Sequence, residues 1–151
     1  MEVLLESAQG TKRSAKAMSE GQLESVNIPE MDEQHEELYC AFQALKQSTN
    51  CAEDLASVIE AVEAHFKAEE DLFEKHKIPN VITHRSEHAN FLKRLRTKQA
   101  ELTAKLEADE DVSSELQQLV LTGLKWLKSH TNAYDAPQYG TFFKDGEYLG
   151  N

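Results

Sequence analysis

Beyond residue 28, apolar positions recur with a helical period almost throughout. His35, Leu38, Phe42 and Leu45 step by three, four and three, so they share one helical face. Leu55, Val58, Val62, His65, Glu69 and Leu72 continue the same rhythm on a second segment. A third stripe runs Val81, His84, His88, Phe91 and Leu95, then Leu102 and Leu106. The fourth runs Leu116, Leu119, Gly123, Trp126 or Leu127, and His130. No alternating strand pattern competes. These stripes predict an all-α chain of four helices, each roughly 18–27 residues or about 27–40 Å long.

Breaks in the pattern agree with that division. Asp32 is placed to cap the first helix, and Ser48-Thr49-Asn50 marks its end. Ile78-Pro79-Asn80 parts the second helix from the third, because a residue before proline resists helical geometry. The third is expected to end near Ala108-Asp109. Short connections between amphipathic helices favour antiparallel neighbours, hence an up-down-up-down antiparallel four-helix bundle over residues 26–138. Residues 1–25 lack an apolar stripe and read as an arm, either flexible or a short packed segment. Pro137, Gly140, Gly146 and Gly150 lead to an irregular C-terminal segment over 139–151.

Composition narrows the class. The 151 residues suit one domain with a single core, and 40% are hydrophobic. The formal charge of −11 argues against nucleic acid or an anionic membrane as partner. No run of apolar residues is long enough for a membrane span, and the opening Met1-Glu2-Val3-Leu4-Leu5-Glu6 does not resemble a signal peptide. A cytoplasmic location is the expectation. Cys40 and Cys51 form neither a metal motif nor a disulfide framework and read as free thiols of a reducing compartment.

Polar residues interrupt the apolar stripes at chosen heights. His35, His65, Glu69, His84, His88 and His130 all sit on faces that are otherwise core. A buried imidazole or carboxylate needs a hydrogen bond, an ion pair or a metal. His35 begins the first helix, Glu69 lies near the end of the second, His84 near the start of the third, and His130 ends the fourth. In an up-down-up-down bundle those four ends coincide. His65/Glu69 and His84/His88 are pairs one turn apart. One such histidine alone would be an ordinary core residue; core packing does not require the coincidence of all of them. His76, outside the cluster, is expected to face solvent or to serve the C-terminus of the second helix.

The donor set discriminates among metals only in part. His84-Arg85-Ser86-Glu87-His88 fits the H-x-x-E-H pattern of inverted zinc peptidases, but that leaves His35, His65, Glu69 and His130 unexplained. A ferritin-like di-iron centre needs Glu-x-x-His motifs, and no histidine here has a glutamate three residues before it. Imidazole itself suits iron, zinc, copper and nickel alike.

Four segments resemble the motifs of the hemerythrins: D-E-Q-H-E-E-L at 32–38, H-F-K-A-E-E at 65–70, H-R-S-E-H at 84–88 and W-L-K-S-H-T-N-A-Y-D at 126–135. The resemblance covers residues 28–138. It implies two iron ions with an oxo or hydroxo bridge. His84, His88 and His130 would be terminal ligands of one iron and His35 and His65 of the other, with Glu69 and Asp135 bridging both. Asp135 enters only through this resemblance. It lies five residues past His130, off that helical face, so the helix must loosen there, and Pro137 is close enough to make it do so. The resemblance further implies reversible binding of dioxygen at an open position on the two-histidine iron, in a pocket walled by Trp126 and Leu127. Both wall residues also fit an ordinary core role.

Departures from the family's pattern bear on function. Thr131 stands where an aliphatic residue usually follows the last histidine, and a hydroxyl beside bound dioxygen would speed autoxidation. Phe73 replaces a common methionine, and no tryptophan precedes the first motif. The expectation is therefore a dioxygen carrier, store or delivery protein rather than an enzyme. A di-iron enzyme acting on peroxide, nitric oxide or iron is the alternative, or a sensor using the two end segments.

Overall fold

A computed structural model of the chain describes residues 23–150. The arm expected over 1–25 therefore lies outside the described residues, apart from its last three. Four long helices form the body: α1 (Pro29–Ala44), α2 (Cys51–Lys75), α3 (Ile82–Glu107) and α4 (Ser113–His130). α1 packs on α2 and α4, and α3 closes the ring between the same two helices. No helix among the described residues is long and apolar enough to cross a membrane. Cys40 and Cys51 are both free and half-buried.

The helix ends follow from local chemistry. α1 begins at Pro29, three residues before the expected cap, with proline in the first turn where its missing N–H costs nothing. Asp32 instead turns back on the incoming chain, accepting from the Val26 N–H at 2.9 Å and the Ser25 hydroxyl at 2.7 Å. α2 stops in a left-handed residue, Lys77 (φ 51°), and the Ile78 N–H returns to the Phe73 carbonyl at 2.9 Å. α3 ends the same way at Asp109 (φ 57°).

Two apolar clusters fill the interior. The larger, including Leu38, Phe42, Leu55, Val62, Phe66, Phe91, Leu95, Leu119 and Leu127, occupies the body of the bundle. α1 and α4 approach closely there: a Cβ on Gly123 would sit 2.5 Å from Cε1 of Phe42. The smaller joins Val26, Ile28, Met31, Phe73, Ile78, Ala136, Tyr139 and Phe143.

The second cluster draws on a stretch expected to be irregular. Ala136–Phe142 form a short helix, α5, and Phe143–Lys144 pair with Glu147–Tyr148 as a two-stranded antiparallel hairpin. Asp145 and Gly146 (φ 51° and 85°) supply the two left-handed residues such a tight turn requires. The Gly146 N–H donates to the Asn27 carbonyl at 2.7 Å, tying the hairpin to the segment before α1. His76 ends α2 between the hairpin's rings, stacked on Tyr148 at 4.3 Å and edge-on to Phe143 at 5.4 Å.

Candidate metal centre

The seven residues singled out from the sequence converge between the two apolar clusters. His35, His65, Glu69, His84, His88, His130 and Asp135 are each 5% exposed or less. His35 comes from the first turns of α1, His65 and Glu69 from α2, and His84 and His88 from α3. His130 closes α4, and Asp135 follows it in a widened turn.

That turn explains how Asp135 reaches the site. Residues Thr131–Asp135 form a single π turn between α4 and α5. A π turn carries an extra residue per hydrogen-bonded ring, so residue i+5 comes round beneath residue i. Pro137, lacking an N–H, cannot extend the ordinary α ladder through this stretch. Asp135 therefore lies under His130, its Oδ1 3.2 Å from His130 Nε2.

The donor atoms fall into two groups with shared members. Ligand atoms of Glu69, His84, His88, His130 and Asp135 lie within 4.8 Å of one another, as do those of His35, His65, Glu69 and Asp135. Both groups contain Glu69 and Asp135. Within the first, the Nε2 atoms of His88 and His84 each approach His130 Nε2 at 3.1 Å. Two imidazoles can share one proton, but three converging on one point cannot all be satisfied that way. Asp135 Oδ1 is 2.6 Å from His84 Nε2, and Glu69 Oε2 is 3.0 Å from His88 Nε2. Neither oxygen makes a properly angled hydrogen bond. Short contacts at poor angles are what results when donor atoms aim at a common point rather than at each other. The buried His/Glu/Asp cluster fits a metal site.

Without a cation, protons take its place. Burial works against charge on His35, but its hydrogen bonds to the Asp135 and Glu69 carboxylates and their attraction prevail, lifting it to about 10. The same balance brings His84 to about 9. His88 is held down, by burial and by its neighbours His130 and His84. Burial alone would raise Glu69, yet His65, His35 and His84 keep it well below the usual carboxylate range. Asp135 is lowered similarly, against both burial and Glu69, by His130, His35 and His84.

Aromatic rings wall the site. Trp126, half-buried, lies flat against His130 at 4.4 Å and against Phe91 at 3.8 Å. Leu127 is buried in the main core. Thr131 is fully buried and its hydroxyl has no hydrogen-bond partner. Further aromatic rings complete the wall, and of these only Phe73 stands out in the sequence. Phe66 stacks on His88 at 3.9 Å, Tyr134 on His130 at 5.3 Å, and Phe73 meets His84 at 4.8 Å. Tyr139 is also buried, its hydroxyl unpartnered and pushed up by burial and by Glu69. A cavity of about 780 Å³ between α3 and α4 lies away from the histidines along Leu95, Leu102 and Leu119.

Comparison with known proteins agrees with this geometry. The hemerythrin-like proteins of Naegleria gruberi and Naegleria fowleri are each 36% identical to this chain over 67 residues, 44% of it and 56% of the relative. Myohemerythrin of Theromyzon tessulatum is 27% identical over 71 residues, 47% of this chain and 59% of the relative. These relatives support a hemerythrin-like family. The hemerythrin-like match spans little more than half the length of the curated relatives. No family model matches the chain, and no solved structure does. The hemerythrin-like reading thus stands on these relatives together with the buried cluster.

Proposed function

We propose that this site holds two iron ions and that the protein binds dioxygen reversibly. The observation that carries the proposal is the pair of donor groups overlapping in Glu69 and Asp135. Two groups sharing two carboxylates suit two adjacent cations better than one. His84, His88 and His130 would hold one iron, His35 and His65 the other, and Glu69 and Asp135 would bridge them. When bound, such a pair supplies electrons to dioxygen and takes them back on release.

The chain's own part is to hold the donors, keep water out and keep the lining apolar. Phe66 and Trp126 pack the imidazoles of α3 and α4 from the body of the bundle. Phe73 packs His84 from the opposite cluster. The group around His35 and His65 offers one imidazole fewer than the other, which leaves room there for a small ligand.

Iron content per chain and the visible spectrum test the reading. Two irons with oxo-bridged diferric bands are expected, and anaerobic reduction followed by oxygen should give bands that vanish under vacuum. One zinc, no metal, or irreversible oxidation within the mixing time would overturn it. Thr131 favours a second reading, an enzyme turning over peroxide or nitric oxide, because its buried, unpaired hydroxyl is free to donate a hydrogen bond. Steady turnover of either substrate would support that reading over simple binding.

A further inference from the structure

We infer that Gln34 is a positioning residue for His65 and sets its strength as a donor. A ligating imidazole has two nitrogens, and the partner of the outer one fixes both ring orientation and tautomer. Of the five converging imidazoles, four have an outer Nδ1 that is buried with no hydrogen-bond partner: His35, His84, His88 and His130. Glu70 Oε1 lies 3.8 Å from His88 Nδ1, beyond hydrogen-bonding range. His65 differs. Its Nδ1 lies 2.7 Å from Oε1 of Gln34, while its Nε2 lies 2.8 Å from Glu69 Oε1.

Helical geometry puts Gln34 where it can do this. Neighbouring residues on a helix are about 100° apart around its axis. His35 therefore turns into the bundle while Gln34, half-buried, turns towards α2. Adjacent residues of α1 thus serve both imidazoles of one donor group, His35 as a member and Gln34 as the grip on His65. Among the described residues, Gln34 is the hydrogen-bond partner of the ring's outer nitrogen, as Glu69 is the neighbour of its inner one. A cavity of about 440 Å³ between α1 and α2 reaches its outer edge, lined by Gln34, Glu37, Leu38, Ala41, Ala61, Ala64 and His65. Glu37 is a second acceptor on that wall, but the exposed carboxylate makes no hydrogen bond to the ring, whereas the Gln34 amide lies 2.7 Å from His65 Nδ1.

The amide has a chemical consequence as well. Its oxygen accepts the Nδ1 proton without carrying charge. A carboxylate there would draw that proton further and make the ring a stronger donor to a metal. Gln34 therefore holds His65 in place while leaving it an ordinary neutral donor. This consequence rests on the proposed function; the hydrogen bond itself does not.

The test uses nitrogen-15 NMR of the full chain, metal-free and loaded with zinc as a diamagnetic probe, with Gln34→Leu and Gln34→Glu beside the parent. The parent should show a slowly exchanging Nδ1 proton on His65. Gln34→Leu should speed its exchange at least about tenfold and weaken binding at the His35/His65 group by about 10–100-fold, while Gln34→Glu restores the proton. In the iron-loaded protein, Gln34→Glu should also lower the reduction potential. An unchanged His65 proton in Gln34→Leu would overturn the inference. A parent that binds no iron, yet loses the His65 proton in Gln34→Leu, would remove the di-iron reading and leave Gln34's role standing.

Discussion

Replacing Thr131 by valine should stabilise the metal-free protein, which is unusual for a change at a fully buried position. Thr131 is 0% exposed and its Oγ1 has no hydrogen-bond partner. A buried polar group left unpaired costs about 1–3 kcal/mol. Valine keeps the β-branched shape of threonine, so the wall need not repack. Removing the hydroxyl should therefore return about 1–2 kcal/mol, or roughly 2–8 °C in Tm for a domain of this size. Thr131→Ala lacks both γ carbons of valine and should fall about 2 kcal/mol or more below it, since the space left cannot fully collapse. Urea and thermal unfolding of chelator-treated protein measure both. A loss of 1 kcal/mol or more in Thr131→Val (about the worth of one hydrogen bond) would show that the hydroxyl has a partner and refute the reasoning. In iron-loaded protein the same variant should autoxidise more slowly, followed by decay of the oxygenated spectrum.

Three further outcomes follow from the same geometry. Gly123→Ala gains about 1 kcal/mol of helix propensity but forces a Cβ to 2.5 Å from the buried Phe42 ring, an overpacking cost of about 1–3 kcal/mol. A net loss is expected by urea unfolding, recovered when Phe42→Leu is added. His88→Ala should abolish binding of at least one iron by elemental analysis while its circular dichroism stays helical; collapse of the helices would make this histidine mainly structural. The metal-free protein should also lose stability in alkali. His35 and His84 rise from 6.5 unfolded to about 10 and about 9 folded, so their contribution is complete below pH 6.5 and disappears as pH climbs through those values. Glu69 and Asp135 are lowered, so theirs is present above the unfolded carboxylate range and is lost in strong acid. Urea midpoints across pH measure both limbs, and calorimetry in two buffers should register proton release when iron binds.

Helix periodicity made the bundle legible because each helix buries one face, and it marked six of the convergent residues because they break an apolar stripe. It does not place the start of α1, because the Asp32 carboxylate serves Val26 and Ser25 rather than capping the helix. Asp135 was invisible to a fixed 3.6-residue period because the backbone changes its own period between Thr131 and Asp135. The hairpin was hidden by the frequency of Gly and Pro around it, although Asp145-Gly146 is a tight-turn pair. Phe66 and Tyr134 look like ordinary aromatics in sequence, and only tertiary packing puts them against His88 and His130. Gln34 carries no periodic signal because its partner lies on another helix.

The π turn also acts as a phase shifter. Two helices pair their buried polar residues four apart, His65 with Glu69 and His84 with His88, whereas the fourth spends five residues between His130 and Asp135. One residue of helix is about 100° of rotation. Deleting Ala133 would return the segment to the common four-residue spacing. It would also swing everything after it by about that angle, carrying Tyr139 and Phe143 off the cluster they share with Phe73 and Ile78. The carboxylate and the end of the bundle are thus indexed by a single inserted residue, and neither can be re-aimed without moving the other.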